Sequence, residues 1–203
     1  MAARMDKINA VIEKRQPNIT VVLENVFDPH NISAVMRSCD SVGIGEIHII
    51  NTQVPKKVEW GFRSSAGSWK WIKTHWHTTP AECVKNLKKQ YNSVFAAHLT
   101  ENATSLYKID FTEPLAIVFG NEQNGCSAEM LAACDGSIVI PQVGMVQSLN
   151  ISVACGIILY EAYRQKEVAG HYQSPQLSIA AMEDIRTEWT DFKNIHELKT
   201  RKA

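Results

Sequence analysis

Polar side chains gather at the breaks between apolar runs of this chain. Residues 140–150, IPQVGMVQSLN, start as the end of a buried strand, break at Pro141 and Gly144, and pass through Ser148 and Asn150 into an apolar run from Ile151. Where a strand-end loop meets a helix N-terminus, free backbone N–H groups and the positive end of the helix dipole face outward, and in open α/β sheets ligands collect there. The same two residues would also serve as an ordinary N-cap on a core helix. Asn31 is placed to cap a helix reading through Ile32, Val35, Met36 and Cys39 to Gly43, with Arg37 nearly two turns further along. Glu122 lies in GNEQNGCS, residues 120–127, where Gly120 and Gly125 are spaced as in a phosphate-binding loop. Cys126 stands where such a loop needs lysine, so nucleoside-triphosphate chemistry is disfavoured. No G-x-G-x-x-G follows the first apolar strand, which disfavours a nicotinamide or flavin Rossmann enzyme. His75 and His77 have no carboxylate or cysteine partner at metal-like spacing along the chain, and no metal is expected.

Those residues need a frame. Arg4 to Arg15 places Met5, Ile8, Val11 and Ile12 at helical spacing, with Arg4, Lys7, Lys14 and Arg15 on the remaining surface, and Pro17 ends the segment. Thr20–Leu23, Glu46–Ile50, Ser93–His98, Leu115–Phe119 and Ser137–Ile140 read as strands. Pro80–Gln90, Ala128–Cys134 and the run from Ile151 read as helices between or after them. Five or six short strands alternating with helices predict an α/β fold with a parallel sheet. Residues 51–70 are irregular, punctuated by Pro55, Gly61 and Gly67, and carry Lys56, Lys57, Arg63 and Lys70; they read as a phosphate-gripping loop or a plain solvated one. Trp69, Trp71 and Trp76 read as core or interface residues rather than a base-stacking platform. After Tyr172, Ser174–Gln176 looks like a linker and Ile179–Phe192 like one more amphipathic helix. A basic tail with Lys193, His196, Lys199, Arg201 and Lys202 follows. The expected organisation is an N-terminal helical extension over 1–19, an α/β domain over 20–172 and a basic C-terminal helical tail over 173–203.

Composition narrows the class. With 203 residues, the chain is long enough for one sizeable core, and 45% hydrophobic against 21% charged residues is an ordinary globular balance. Lys+Arg 21 against Asp+Glu 21 means that any affinity for nucleic acid must come from local clustering. Cys39, Cys83, Cys126, Cys134 and Cys155 are scattered singly, which predicts reduced thiols rather than disulfides or a zinc ribbon. The charged N-terminus lacks a signal-peptide core, and Ile151–Tyr160 is shorter than the roughly 20 residues of a membrane span. The chain reads as cytoplasmic.

Three ordered stretches carry a family likeness. PHNISAVMRSCDSVG near the N-terminus, FGNE at 119–122, and GMVQSLN followed by SVA and ILYEA resemble the three motifs of the SPOUT RNA 2'-O-ribose methyltransferases of the SpoU/TrmH family. The resemblance runs in order from about Arg4 to Tyr172. It implies a SPOUT fold with a deep C-terminal trefoil knot threaded through a loop around Gly120 to Pro141, and a homodimer with sites completed at the subunit interface. It also implies S-adenosyl-L-methionine as cofactor, held by backbone groups of Leu99, Gly120, Ile140 and Leu149, and tRNA as partner, with a D-loop guanosine as target. An rRNA ribose methyltransferase of the same superfamily and a non-catalytic RNA-binding protein are the alternatives. The family assigns activation of the ribose 2'-hydroxyl to the arginine that matches Arg37. A guanidinium with a pKa above about 12 is a reluctant base, so it acts with the RNA phosphate, or holds that phosphate and stabilises the developing oxyanion. Asn31 and Glu122 match orienting groups expected to fix Arg37 and the loop, and Ser148 and Asn150 match ligands of substrate or cofactor. Gln142 departs from the family, standing where many relatives carry an apolar residue.

Overall fold

Every residue of the segment ITVVLE, Ile19–Glu24, is buried, as befits a β-branched run covered on both faces at the centre of a parallel sheet. The computed structural model describes residues 2–52 and 67–191. Pro55, Lys56, Lys57, Gly61 and Arg63 of the irregular segment, and Lys193, His196, Lys199, Arg201 and Lys202 of the tail, lie outside the described residues. In chain order the elements are α1 (Ala2–Glu13), β1 (Ile19–Glu24), α2 (Pro29–Ser41), β2 (Glu46–Ile50), β3 (Lys73–His77), α3 (Pro80–Leu87), β4 (Ser93–Ala97), β5 (Thr104–Ser105), β6 (Leu115–Phe119), α4 (Ala128–Ala133), β7 (Gly136–Val139), α5 (Ile151–Val168) and α6 (Ile179–Thr190).

The strands form one seven-stranded sheet in the order β3-β2-β1-β6-β4-β7-β5. All its pairings are parallel. The central pair runs from Ile19 opposite Leu115 to Leu23 opposite Phe119. Two strands beyond the expected five occupy the edges, β3 and the two-residue β5. On one face α2 and α5 pack over Val21, Leu23, Ile47 and Ile117 through Ile32, Met36, Ile158 and Leu159. On the other, α3 and α4 cover Val22, Ile50, Ala116 and Val118 with Cys83, Leu87 and Met130. No described helix is long and apolar enough to cross a membrane.

A third cluster joins the chain's two ends. Ile8 and Ile12 of α1 pack with Trp189 of α6, and Trp71 meets Trp189 edge-on at 5.0 Å between ring centroids. Trp69 and Trp76 pack against the main core, as expected of structural tryptophans. Arg15 corrects the amphipathic reading of α1. It is 2% exposed, not solvated: it pairs with Asp40 at 2.9 Å, donates to the carbonyls of Ile44 and Trp71, and lies 5.0 Å from the centroid of the Trp189 ring. A buried guanidinium is tolerated here because its charge is paired with Asp40 and both terminal nitrogens reach acceptors, while Nε is left without a partner among the described residues.

Two further corrections bear on chemistry. Asp28, not Asn31, caps α2, accepting from the backbone N–H of His30 at 2.8 Å. Pro29 then takes the first helical position, where its missing N–H costs nothing. The side chain of Asn31 is left free to reach elsewhere. His75 and His77 also find partners across the sheet: His75 Nε2 lies 2.8 Å from Glu46 Oε2, and His77 Nε2 lies 2.9 Å from His48 Nδ1. Sheet register, rather than spacing along the chain, brings these groups together.

Candidate active site

Strands β6, β4 and β7 are neighbours, so the loops leaving their carboxyl ends converge. These loops, with the segment before α5, line an open cleft of about 590 Å³. Ile138, Ile151, Ala154 and Ile158 form its apolar wall, and Glu122, Gln123, Gln142, Gln147, Ser148 and Asn150 its polar lining. The four positions expected to hold a cofactor, Leu99, Gly120, Ile140 and Leu149, all line this one space.

The 120–127 loop is built for closeness. Asn121 and Gly125 exchange backbone hydrogen bonds of 2.9 and 2.8 Å. Asn121 Oδ1 accepts from the N–H groups of Gln123 and Asn124, while its Nδ2 donates to the Asn25 carbonyl at 2.9 Å. A Cβ on Gly120 would sit 2.1 Å from the carbonyl carbon of Gly125. Gly125 has φ 68°, and a Cβ there would come within 2.5 Å of the His98 ring. The glycine spacing that resembles a phosphate loop therefore serves a sealed turn.

Behind that turn Glu24, buried at the end of β1, accepts from Ser127 N–H at 3.0 Å and Ser127 Oγ at 2.5 Å. Ser127 in turn caps α4 by accepting from Met130 N–H. His98 Nδ1 accepts from Cys126 N–H at 3.4 Å. None of Glu24, His98 and Asn121 stands out in the sequence reading. The available signals were a carboxylate ending an otherwise apolar buried strand and an Asn directly after Gly120.

Three segments, the first turn of α2, the 120–127 loop and the start of α5, meet at the rim through side chains. Asn31 Nδ2 donates to Glu122 Oε1 at 2.9 Å, and Asn150 Nδ2 donates to Asn31 Oδ1 at 3.1 Å. Asn150 also caps α5, its Oδ1 accepting from Ser152 N–H at 2.9 Å and Ser152 Oγ at 2.6 Å. The direction of this run is forced: an ionised carboxylate only accepts, so Asn31 must turn its amide nitrogen to Glu122 and its oxygen to Asn150. Capping and site-building are thus performed by one side chain. Ser148 is exposed on the cleft lining. Arg37 is exposed on α2. Among the described residues, Asn31 and Glu122 bond to one another and Asn31 to Asn150, and no hydrogen bond joins them to Arg37. Exposed apolar side chains flank the cleft, with Val143 and Met145 in the loop and Val153, Ile157 and Tyr160 along α5.

A backbone cleft at the ends of three parallel strands, with an apolar wall, suits a ligand carrying a flat heterocycle and a polar tail. Comparison with known proteins agrees. Residues 18–160 match the model of the SpoU rRNA Methylase family. A tRNA (guanosine(18)-2'-O)-methyltransferase of Thermus thermophilus is 43% identical over 189 residues, covering 92% of this chain and 95% of that protein. The crystal structure of the A. aeolicus TrmH/SpoU tRNA modifying enzyme superposes with a TM-score of 0.87 at 36% identity, covering 93% of this chain and 95% of that one. The SpoU methyltransferase AviRb of Streptomyces viridochromogenes, solved in complex with the cofactor AdoMet, superposes with a TM-score of 0.66 at 26% identity, covering 76% of this chain and 59% of that one.

Proposed function

The chain belongs to the SpoU rRNA Methylase family, and on that premise we propose that it transfers the methyl group of S-adenosyl-L-methionine to the ribose 2'-hydroxyl of guanosine 18 in tRNA. The observation that carries this reading is the hydrogen-bonded run from Asn150 through Asn31 to Glu122, which ties the start of α5, the first turn of α2 and the 120–127 loop together at the cleft. The relative from T. thermophilus, similar over nearly its whole length, supports tRNA rather than rRNA as substrate.

S-adenosyl-L-methionine supplies an electrophilic methyl group on a sulfonium, so the protein's share is to place the hydroxyl in line and to help its proton leave. The cleft volume lies within the range of small-molecule sites. Backbone groups of Leu99, Gly120, Ile140 and Leu149 hold the adenosine moiety against the apolar wall. Glu122 and Asn31 fix the positions of their loops, and Ser148 and Asn150 present polar atoms to substrate or cofactor where α5 begins. Arg37, on the exposed face of α2, binds the phosphate next to the target ribose, and the phosphate or the guanidinium field lowers the cost of the developing alkoxide.

Two features complete the proposal. The C-terminal segment threads the loop around Gly120 to Pro141 as a deep trefoil knot, a reading supported by the meeting of that loop and the start of α5 in one cleft. A second copy of the chain covers the exposed stripe of Val153, Ile157 and Tyr160 on α5 and completes the site there, and the enzyme works in the cytoplasm. The domain scheme is a catalytic unit over 20–172 with a helical extension at each end.

The test is methyl transfer from labelled S-adenosylmethionine to unmodified tRNA and rRNA transcripts, with the 2'-O-methyl position mapped. A single 2'-O-methylguanosine at position 18 of tRNA is expected. An rRNA or anticodon-loop target would replace the substrate, and RNA binding without transfer would replace the enzyme by an RNA-binding protein.

A further inference from the structure

Far along the sheet from the cleft, β2 and β3 hold a cluster that methyl transfer does not use. His48 stands opposite His75 in the register and stacks on it, with ring centroids 4.8 Å apart. His77 stacks on the His48 ring at 5.2 Å, and His48 Nδ1 lies 2.9 Å from His77 Nε2. Cys83, in the first turn of α3, covers the pair. One ligand atom from each of His48, His77 and Cys83 lies within 4.8 Å of the other two. His48 is 9% exposed and Cys83 fully buried, while His77 is partly open.

Two neutral imidazoles share two N–H groups and two lone pairs, and the bond between them uses one of each. One N–H and one lone pair remain, and both outer atoms, His48 Nε2 and His77 Nδ1, are buried without a protein partner. An ion held between the facing nitrogens replaces their mutual hydrogen bond and leaves each outer atom as an N–H. Neutral imidazoles and a thiol that ionises on coordination are the ligands of zinc-class ions, whereas magnesium and calcium want oxygen.

We propose that His48, His77 and Cys83 form a binding site for a zinc-like dication that clamps edge strand β3 and helix α3 to the sheet. One nitrogen of each ring and the Cys83 sulfur bond to the ion, and water from the open side by His77 takes the fourth position. Tetrahedral bonding asks the facing ring nitrogens to part to about 3.3 Å and the sulfur to approach to about 2.3 Å, shifts that small ring and χ1 rotations supply. The thiol proton leaves to solvent and no electron moves. Glu46, held 2.8 Å from His75, adds negative charge beside the stack.

The probe is cobalt(II), added to the full-length protein after chelator treatment. Expected is one equivalent bound, with strong visible bands of a four-coordinate ion and a thiolate-to-cobalt charge-transfer band that disappears in Cys83→Ser. Zinc should displace the cobalt and raise Tm by about 5 °C at a hundredfold excess over Kd. His77→Gln, at a part-open position, keeps the test decisive if Cys83→Ser does not fold, and should weaken cobalt binding about 100-fold. Absence of stoichiometric binding, a charge-transfer band that survives Cys83→Ser, or unchanged affinity in His77→Gln would each overturn the site.

Discussion

Asn31 is available to the site only because Asp28 caps α2 in its place. Its two bonds make opposite demands, a donor toward Glu122 and an acceptor toward Asn150, which the amide meets from two separate atoms. Asn31→Ala should therefore lower kcat about 10- to 100-fold through misplaced loops, with tRNA affinity little changed. Asn31→Asp should be worse than alanine, since it sets one carboxylate against another; an Asp variant as active as wild type would remove the proposed role. Arg37→Ala should cost about 100- to 1,000-fold in methyl transfer, with S-adenosylmethionine binding, measured by calorimetry, within twofold of wild type. The types of these residues were legible in the sequence, and their bonds were not. Glu122 and Asn150 lie 91 and 119 residues along the chain from Asn31. Glu24 and His98 escaped notice for the same reason, since their partners Ser127 and Cys126 arrive from a distant loop.

At the scale of elements, the Asn121–Gly125 turn is the tightest piece of the cleft. Gly120→Ala drives a Cβ into backbone rather than into a flexible side chain, so it should destabilise by about 1–3 kcal/mol and weaken cofactor binding; thermal unfolding and calorimetry read both. The β2–β3 pair responds to acid. His48 is held far below its ordinary value of 6.5 in the folded state, so between about pH 6.5 and 3 the unfolded chain binds the extra proton. Stability must fall as pH falls through that window, and His48→Gln should flatten that part of the Tm-versus-pH curve. Strands β1, β2 and β6 could be read directly from apolar, β-branched runs. Strand β3 could not: KTHWH is polar because an edge strand is only half covered. Helix α5 runs to Val168, beyond the expected apolar stretch, because its last turns are carried by pairings such as Gln165 with Ile109 and Lys166 with Asn18.

Across the whole molecule, the stripe of Val153, Ile157 and Tyr160, which are 50%, 37% and 56% exposed, recurs at helical spacing on α5 beside the cleft. Val153→Glu combined with Ile157→Glu should yield a folded monomer of reduced activity in sedimentation velocity; a dimer that survives both charges would place the interface elsewhere. The parallel α/β class was legible from alternation of strands and helices, whereas strand order was not, because nothing local states which strands will be neighbours. That order governs how the protein is born. Strand β2 follows β1 out of the ribosome soon enough to cover one side of it, but the other neighbour of β1 is Leu115–Phe119. At about 5–20 residues per second, the nascent chain carries an unpaired, largely apolar strand edge for roughly 5–20 s before β6 emerges. Yield in the cell is thus set by what shields that edge during translation, and a variant that slows β6 docking will fail in biogenesis while its finished copies methylate normally.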